Sequence, residues 1–282
     1  MSSLRSNSSP TANGQLRRFG DVVLSDVVHS SPHAVVFRGE WQGRPAAVKL
    51  IDREVPGKRV EREVRALADA VHPNVVPLLD CGVAPDGRSF VVSPWIDGED
   101  LRATMRSTRL SPAEQLSVVR DVADALRALH ASGVVHRDIK PANIVRRRAD
   151  STAVVLDLGH ALWVKDARIT ESGDVIGTAH YAAPEQSAGR DIDERVDIYS
   201  LGAVLYELLA GTTPFEGDTA AEVFRCHRDC PLVPPSQRAP DRSVPPPLED
   251  LCMWMMARDR AARLPSARVL RVAVDAIEPL EL

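Results

Sequence analysis

Lysine is scarce in this chain: of 35 basic residues only Lys49, Lys58, Lys140 and Lys165 are lysine, and the rest are arginine. A net charge of -4 gives no electrostatic reason for binding nucleic acid or a membrane surface. Cysteine is sparse too, at positions 81, 226, 230 and 252. No second pair at zinc-ligand spacing follows Cys226-His227-x-x-Cys230, so these thiols read as structural or inert. The longest apolar stretch, Leu201 to Ala210, is too short to span a bilayer and contains Glu207. Residues 1–18 are rich in Ser and Asn and have no apolar core, which argues against a signal peptide and reads as a disordered tail. Internal repeats are lacking. The expectation is a soluble, cytoplasmic protein with reduced thiols, no nucleic-acid partner and no membrane partner.

What is present is globular. At 282 residues, 44% hydrophobic and 26% charged, the chain can bury one large core or two smaller ones. β-Branched runs predict strands over Asp21–Val28, Ala34–Trp41 and Pro45–Ile51, with Gln42-Gly43-Arg44 as a tight turn. Val60, Val64, Leu67 and Val71 form one stripe of a helix over 57–71, and Val75–Leu79 and Phe90–Val92 are further strand candidates. From Leu101 onward helices dominate. Ser111-Pro112-Ala113-Glu114 is a helix start and Gly133 a stop. Asp197–Ala210, apolar nearly all round, predicts a buried central helix. Pro231–Pro247 reads as a surface loop, and Leu248–Ala257 and Ala267–Ile277 as closing helices.

The chemistry concentrates in His136-Arg137-Asp138-Ile139-Lys140-Pro141-Ala142-Asn143, with Asp157-Leu158-Gly159 beginning fourteen residues beyond Asn143. Moving a phosphoryl group from ATP to a hydroxyl requires an in-line nucleophile, divalent cations across the phosphates, and positive charge at the transition state. Magnesium takes hard oxygen ligands, here the Asp157 carboxylate and the Asn143 amide oxygen. Asp138 has the chemistry to accept the hydroxyl proton, and Lys140 to sit against the transferred phosphate. The bland reading is a charged surface turn. Lysine usage weighs against it, because a chain written in arginine keeps lysine here and in Ala46-Ala47-Val48-Lys49. A compact ammonium and a planar guanidinium are not interchangeable.

These motifs, in this order, resemble the protein kinase family from Phe19 to about Ile277. Gly177-Thr178-Ala179-His180-Tyr181-Ala182-Ala183-Pro184-Glu185-Gln186, together with lysine at position 140, is most similar to the serine/threonine kinases of bacteria. The resemblance implies an α+β, bilobal kinase-like fold: an antiparallel sheet with one helix in an N-lobe (19–93), a hinge (94–97) and a mainly helical C-lobe (98–282). It implies an ATP-dependent enzyme using Mg2+ (or Mn2+), acting on Ser or Thr of protein substrates and self-associating for autophosphorylation at Thr170 or Ser172, facing Arg137. By the same likeness Lys49 holds the α- and β-phosphates and Glu63 pairs with it, Glu61 being the rival. Pro94 and Ile96 offer backbone groups to adenine, while Val36, Ala47 and Val145 enclose the ring. Asp138 is the base, Lys140 faces the phosphate, and Asn143 and Asp157 hold metal. Asp197 is expected to be a buried carboxylate receiving catalytic-loop N–H groups. Glu185 is expected to pair with Arg263, and Thr178 to touch the catalytic loop.

The sequence departs from the family pattern at one place. His29, Ser31 and Ala34 stand where three glycines usually bring backbone N–H groups to the phosphates, and Pro32 removes a donor. Weaker ATP handling is the expectation, and a pseudokinase scaffold is the alternative reading. Leu158, in place of the usual Phe, is a milder change.

Overall fold

Period-two alternation builds the first of two units into which the chain divides, comprising residues 1–68 and 77–96. The computed structural model describes residues 17–31, 33–55, 60–61, 64–65, 68–156, 177–188 and 192–277. Strands β1 (Arg17–Phe19), β2 (Val22–Ser30), β3 (Ala34–Trp41), β4 (Arg44–Ile51), β5 (Asp80–Val83) and β6 (Ser89–Pro94) form one antiparallel sheet in the order β1-β2-β3-β4-β6-β5. Gln42 and Gly43, at φ 50° and 73°, make the two-residue β3–β4 turn, whose left-handed backbone matches the strand twist. One face buries Phe37, Ala46, Val48, Leu50 and Val92 together with Val22, Leu24 and Phe90. The alternate positions belong to the other face.

Three expectations for the first hundred residues change. Arg17 and Arg18 belong to β1 and not to a tail, because Gly20, at φ 53°, lets the chain fold back so that Arg17–Phe19 pairs with Val22–Leu24. Val75–Leu79 is not a strand of the sheet. Val75 makes an isolated bridge to Val155, Pro77 has no N–H to donate, and the strand begins at Asp80. Val71 does not continue the helical stripe: the helical residues end at Asp69, ahead of Pro73, and Val71 is 87% exposed.

The second unit comprises residues 69–76 and 97–282. Its described residues carry helices α1 (Leu101–Ser107), α2 (Pro112–Ala131), α3 (Pro184–Ala188), α4 (Arg195–Ala210), α5 (Ala220–Asp229), α6 (Pro235–Arg238), α7 (Pro246–Met255) and α8 (Ala267–Ile277). The Ser111–Glu114 capping box starts α2 as expected, satisfying N–H groups that have no partner within the helix. Helix α4 is buried along nearly its whole length and ends at Gly211, whose φ of 77° suits only glycine without strain. Each Leu taken fully out of water there contributes about 1.5–3 kcal/mol. The proline-rich segment contains the short α6, and α7 starts at Pro246, where proline needs no helical donor.

A small sheet interrupts the helices. Strands β7 (Gly98–Asp100), β8 (Ile144–Arg147) and β9 (Ala153–Val155) pair in that order, and a 3-10 turn, Pro141–Asn143, leads into β8. A Cβ on Gly98 would collide with the carbonyl oxygen of Arg146, so β7 needs glycine there. This sheet fixes the far end of the His136–Asn143 loop.

Candidate active site

In the first unit, register and alternation decide which predicted residues share a face. Val36 pairs directly with Lys49, and Lys49 with Val91. Ala47 lies two residues from Lys49 and pairs with Ser93. Val36, Ala47 and Lys49, all half-buried, therefore lie on the face opposite the Phe37–Val48–Leu50 core. Pro94 ends β6 opposite Ala46, and Trp95 donates its N–H to the Pro45 carbonyl at 3.1 Å, leading the chain to half-buried Ile96.

The β2–β3 turn, where the glycines are missing, is tied to itself. Ser31 N–H donates to the Ala34 carbonyl at 2.9 Å. Ser31 Oγ donates to the same carbonyl at 3.1 Å and accepts from Ala34 N–H at 3.2 Å. The turn thus spends two backbone donors internally.

In the second unit the predicted catalytic-loop residues converge. The Lys140 ammonium lies 2.9 Å from Asp138 Oδ2 and donates to Thr178 Oγ1 at 2.9 Å. Asn143 Nδ2 donates to the Asp138 carbonyl at 2.8 Å and to Asp138 Oδ2 at 2.9 Å. Both acceptors are oxygens, which fixes the amide orientation and makes Oδ1 the amide atom with the chemistry to take a cation. An amide oxygen beside a buried carboxylate suits a hard divalent cation. Val145, buried in β8, follows two residues after Asn143. Two bonds orient His136, 2.8 Å for its N–H and 3.0 Å from its Nε2 to the Leu156 carbonyl.

Asp197, fully buried at the start of α4, receives the N–H groups of His136 at 2.8 Å and Arg137 at 2.7 Å, as the sequence implied. His130 Nε2 adds a third bond at 2.8 Å. Burial pushes the Asp197 carboxyl up, yet the His130 bond and charge and the Arg137 N–H outweigh it and hold the group below the usual carboxylate range. Gln186 Nε2 donates to the Arg137 carbonyl at 2.9 Å, joining the loop to α3. Glu185 and Arg263 form the expected pair in bidentate form, at 2.7 and 3.2 Å, and the guanidinium also lies over Tyr199, 4.8 Å from the ring centroid.

Glu63, Asp157, Thr170 and Ser172 lie outside the described residues. The sequence reading gave no role to His130, His227 or Gln186. His227 is buried in α5, with its Nδ1 2.8 Å from Tyr199 OH and its Nε2 3.1 Å from the His180 carbonyl. Burial pushes this imidazole down to about 4, so it stays neutral. One local signal announced α5: Thr219-x-x-Glu222, which forms a complete capping box.

Comparison with known proteins agrees with this geometry. The chain is 38% identical over 236 residues to the serine/threonine-protein kinase PknD of Mycobacterium tuberculosis, covering 82% of this chain and 35% of that protein. It is 34% identical over 238 residues to the serine/threonine-protein kinase pkn3 of Myxococcus xanthus, covering 81% and 43%. PknB of Mycobacterium leprae is 37% identical over 238 residues, covering 81% and 38%. The chain therefore spans well under half the length of these curated relatives. The protein kinase domain family matches residues 33–273, and the chain belongs to that family.

Proposed function

We propose that this chain is a serine/threonine protein kinase domain that transfers the γ-phosphoryl group of ATP to Ser or Thr hydroxyls of proteins. The observation that carries the reading is the cluster in which Lys140 bridges Asp138 and Thr178 while Asn143 donates to the same Asp138 oxygen. The acceptor oxygen attacks the γ-phosphorus, its proton passes to the Asp138 carboxylate, and the bond from phosphorus to the leaving ADP oxygen breaks. Lys140 offsets charge on the phosphoryl oxygens. Thr178, bonded to Lys140, orients the acceptor. Lys49 holds the α- and β-phosphates with Glu63 as its partner, and Val36, Ala47, Pro94, Ile96 and Val145 receive the adenine. Mg2+ (or Mn2+), when bound through Asn143 Oδ1 and Asp157, neutralises phosphate charge.

The relatives, serine/threonine-protein kinases by name, support a protein acceptor, and the retained Lys49, Asp138, Asn143 and Asp157 weigh against an inactive scaffold. Autophosphorylation at Thr170 or Ser172, through self-association, belongs to the same proposal. It is supported by Arg137, whose Nε is buried without a hydrogen-bond partner among the described residues. A kinase domain that begins at β1, residue 17 in place of the expected 19, and a cytoplasmic location are part of the proposal as well.

The test is a transfer assay with labelled ATP and a generic basic protein, comparing the parent with Asp138→Asn and Lys49→Met. Incorporation is expected only in the parent. Equal labelling in all three would overturn the reading.

A further inference from the structure

The C-terminal end of α5 carries two thiols that face each other. Cys226 and Cys230 are half-buried, unbonded, and have their sulfurs 2.7 Å apart. That is well inside the about 3.5–4.0 Å of ordinary non-bonded contact between carbon atoms, which are smaller than sulfur. Regular helix geometry does not produce such an approach. Side chains four residues apart on a helix have Cβ atoms about 5–6 Å apart, whereas a disulfide needs about 3.5–4.5 Å. Cys230 is the helix C-cap, with φ -77° and ψ 143°, so its side chain is released from the helical direction while its N–H still bonds the Cys226 carbonyl at 2.9 Å.

The intervening His227 does not make this a metal site. Both of its ring nitrogens are engaged in the interior, by Tyr199 OH and the His180 carbonyl. Among the described residues no group of three His, Cys, Asp or Glu side chains is arranged to hold a metal ion. Two thiols without a third ligand have disulfide chemistry open to them.

We propose that Cys226 and Cys230 are a reversible redox site that closes to an intramolecular disulfide when the protein meets a hydroperoxide or a small disulfide. With a hydroperoxide, one thiolate attacks the peroxide oxygen, the O–O bond breaks, and a sulfenic acid forms with loss of water or alcohol. The second thiolate then attacks that sulfur, the S–S bond forms, and hydroxide leaves to take up the released thiol proton. Two electrons pass from the sulfurs to the peroxide. With oxidised glutathione, two successive exchanges release two molecules of glutathione.

The site sits where closure can be felt by the segment after Thr178, the residue that orients the acceptor in the function proposed above. Helix α5 packs Ala220 and Val223 against Ala179, and His227, next to Cys226, donates from Nε2 to the His180 carbonyl. A bond drawing the sulfurs in to about 2.05 Å shifts the last turn of α5 and with it His227. The expected consequence is poorer acceptor binding with ATP binding unaffected.

The reduced protein is treated with hydrogen peroxide or oxidised glutathione, its remaining thiols are blocked, and it is digested with trypsin. Cleavage after Arg225, Arg228 and Arg238 separates the two cysteines. Closure therefore yields the peptides 226–228 and 229–238 linked to each other, about 2 Da lighter than their sum. The link is expected to vanish with dithiothreitol and to be absent from Cys226→Ser and Cys230→Ser. Separate glutathione adducts on the two residues, or no change under conditions that modify exposed Cys81, would overturn the proposal. This mass measurement does not depend on the kinase reading, so a protein that transfers no phosphate still decides it. In an active protein the acceptor KM of the oxidised parent is expected to rise about threefold or more. The same treatment is expected to leave the two Ser variants unchanged; an equal rise in them would remove the link to α5.

Discussion

Asp197 accepts the backbone N–H of Arg137 at 2.7 Å, and Arg137 is held there at a φ of 65°. A left-handed backbone at a non-glycine residue costs about 1–3 kcal/mol and persists only where its surroundings impose it. Here the imposing group is a carboxylate 60 residues away in sequence, which fixes the loop one residue before Asp138.

Asp197→Ala would leave two buried N–H groups and His130 without their acceptor. A loss of about 3–5 kcal/mol is expected, read as a lower urea midpoint. Asp197→Asn keeps one acceptor oxygen and should lose less. Equal midpoints for parent and Asp197→Ala would show that the loop holds its conformation by other means.

Lys140→Arg keeps the charge and changes its shape. A planar guanidinium cannot reproduce one compact donor 2.9 Å from both Asp138 Oδ2 and Thr178 Oγ1. The turnover number should fall by about tenfold or more while the melting temperature stays within a degree or two. Full activity in this variant would show that charge alone suffices at this position.

Ser31→Gly releases Ala34 N–H from the Ser31 hydroxyl and gives the β2–β3 turn the conformational freedom of glycine at that position. The KM for ATP should fall. Stability should drop by about 1–2 kcal/mol, from the lost hydrogen bonds and the freer unfolded chain. A raised KM would mean that the self-tied turn already serves the nucleotide. The triple change of His29, Ser31 and Ala34 to Gly extends the same test.

His227 gives the fold a defined acid response. Its folded pKa is lowered to about 4 from an ordinary 6.5, so the unfolded chain binds the proton first. Its contribution is fully present above pH 6.5 and is lost as pH falls toward about 4, by up to about 3 kcal/mol over that window. His227→Gln should flatten the stability profile there. Asp197, whose carboxyl is depressed, acts at lower pH, where protonation removes its contribution. An unchanged slope in His227→Gln would place the acid sensitivity elsewhere.

Much of this was legible from local signals. Ala34–Trp41 is a strand over the predicted residues, and Ser111–Glu114 caps its helix as the motif promised. Glu185 and Arg263 pair as the family likeness implied. What stayed hidden depends on contacts distant in sequence. Val71 fits an apolar stripe by spacing, yet it lies past the helix end and in solvent. The strand β1 is too short to carry a pattern and exists because β2 offers it partners. Cys226 and Cys230 look inert at a spacing that a regular helix keeps too wide for a bond, and only the cap angles at Cys230 turn their sulfurs together.

Residue type and spacing by themselves determined which side chains the proposed chemistry rests on: a carboxylate, an ammonium and an amide inside eight consecutive positions. They also set the alternation that puts Val36, Ala47 and Lys49 on one sheet face. Tertiary structure alone decided how the loop is held. Asp197 meets His136 across 61 residues, and Lys140 meets Thr178 across 38, because hydrogen bonds require atoms within about 3 Å, whatever their distance along the chain.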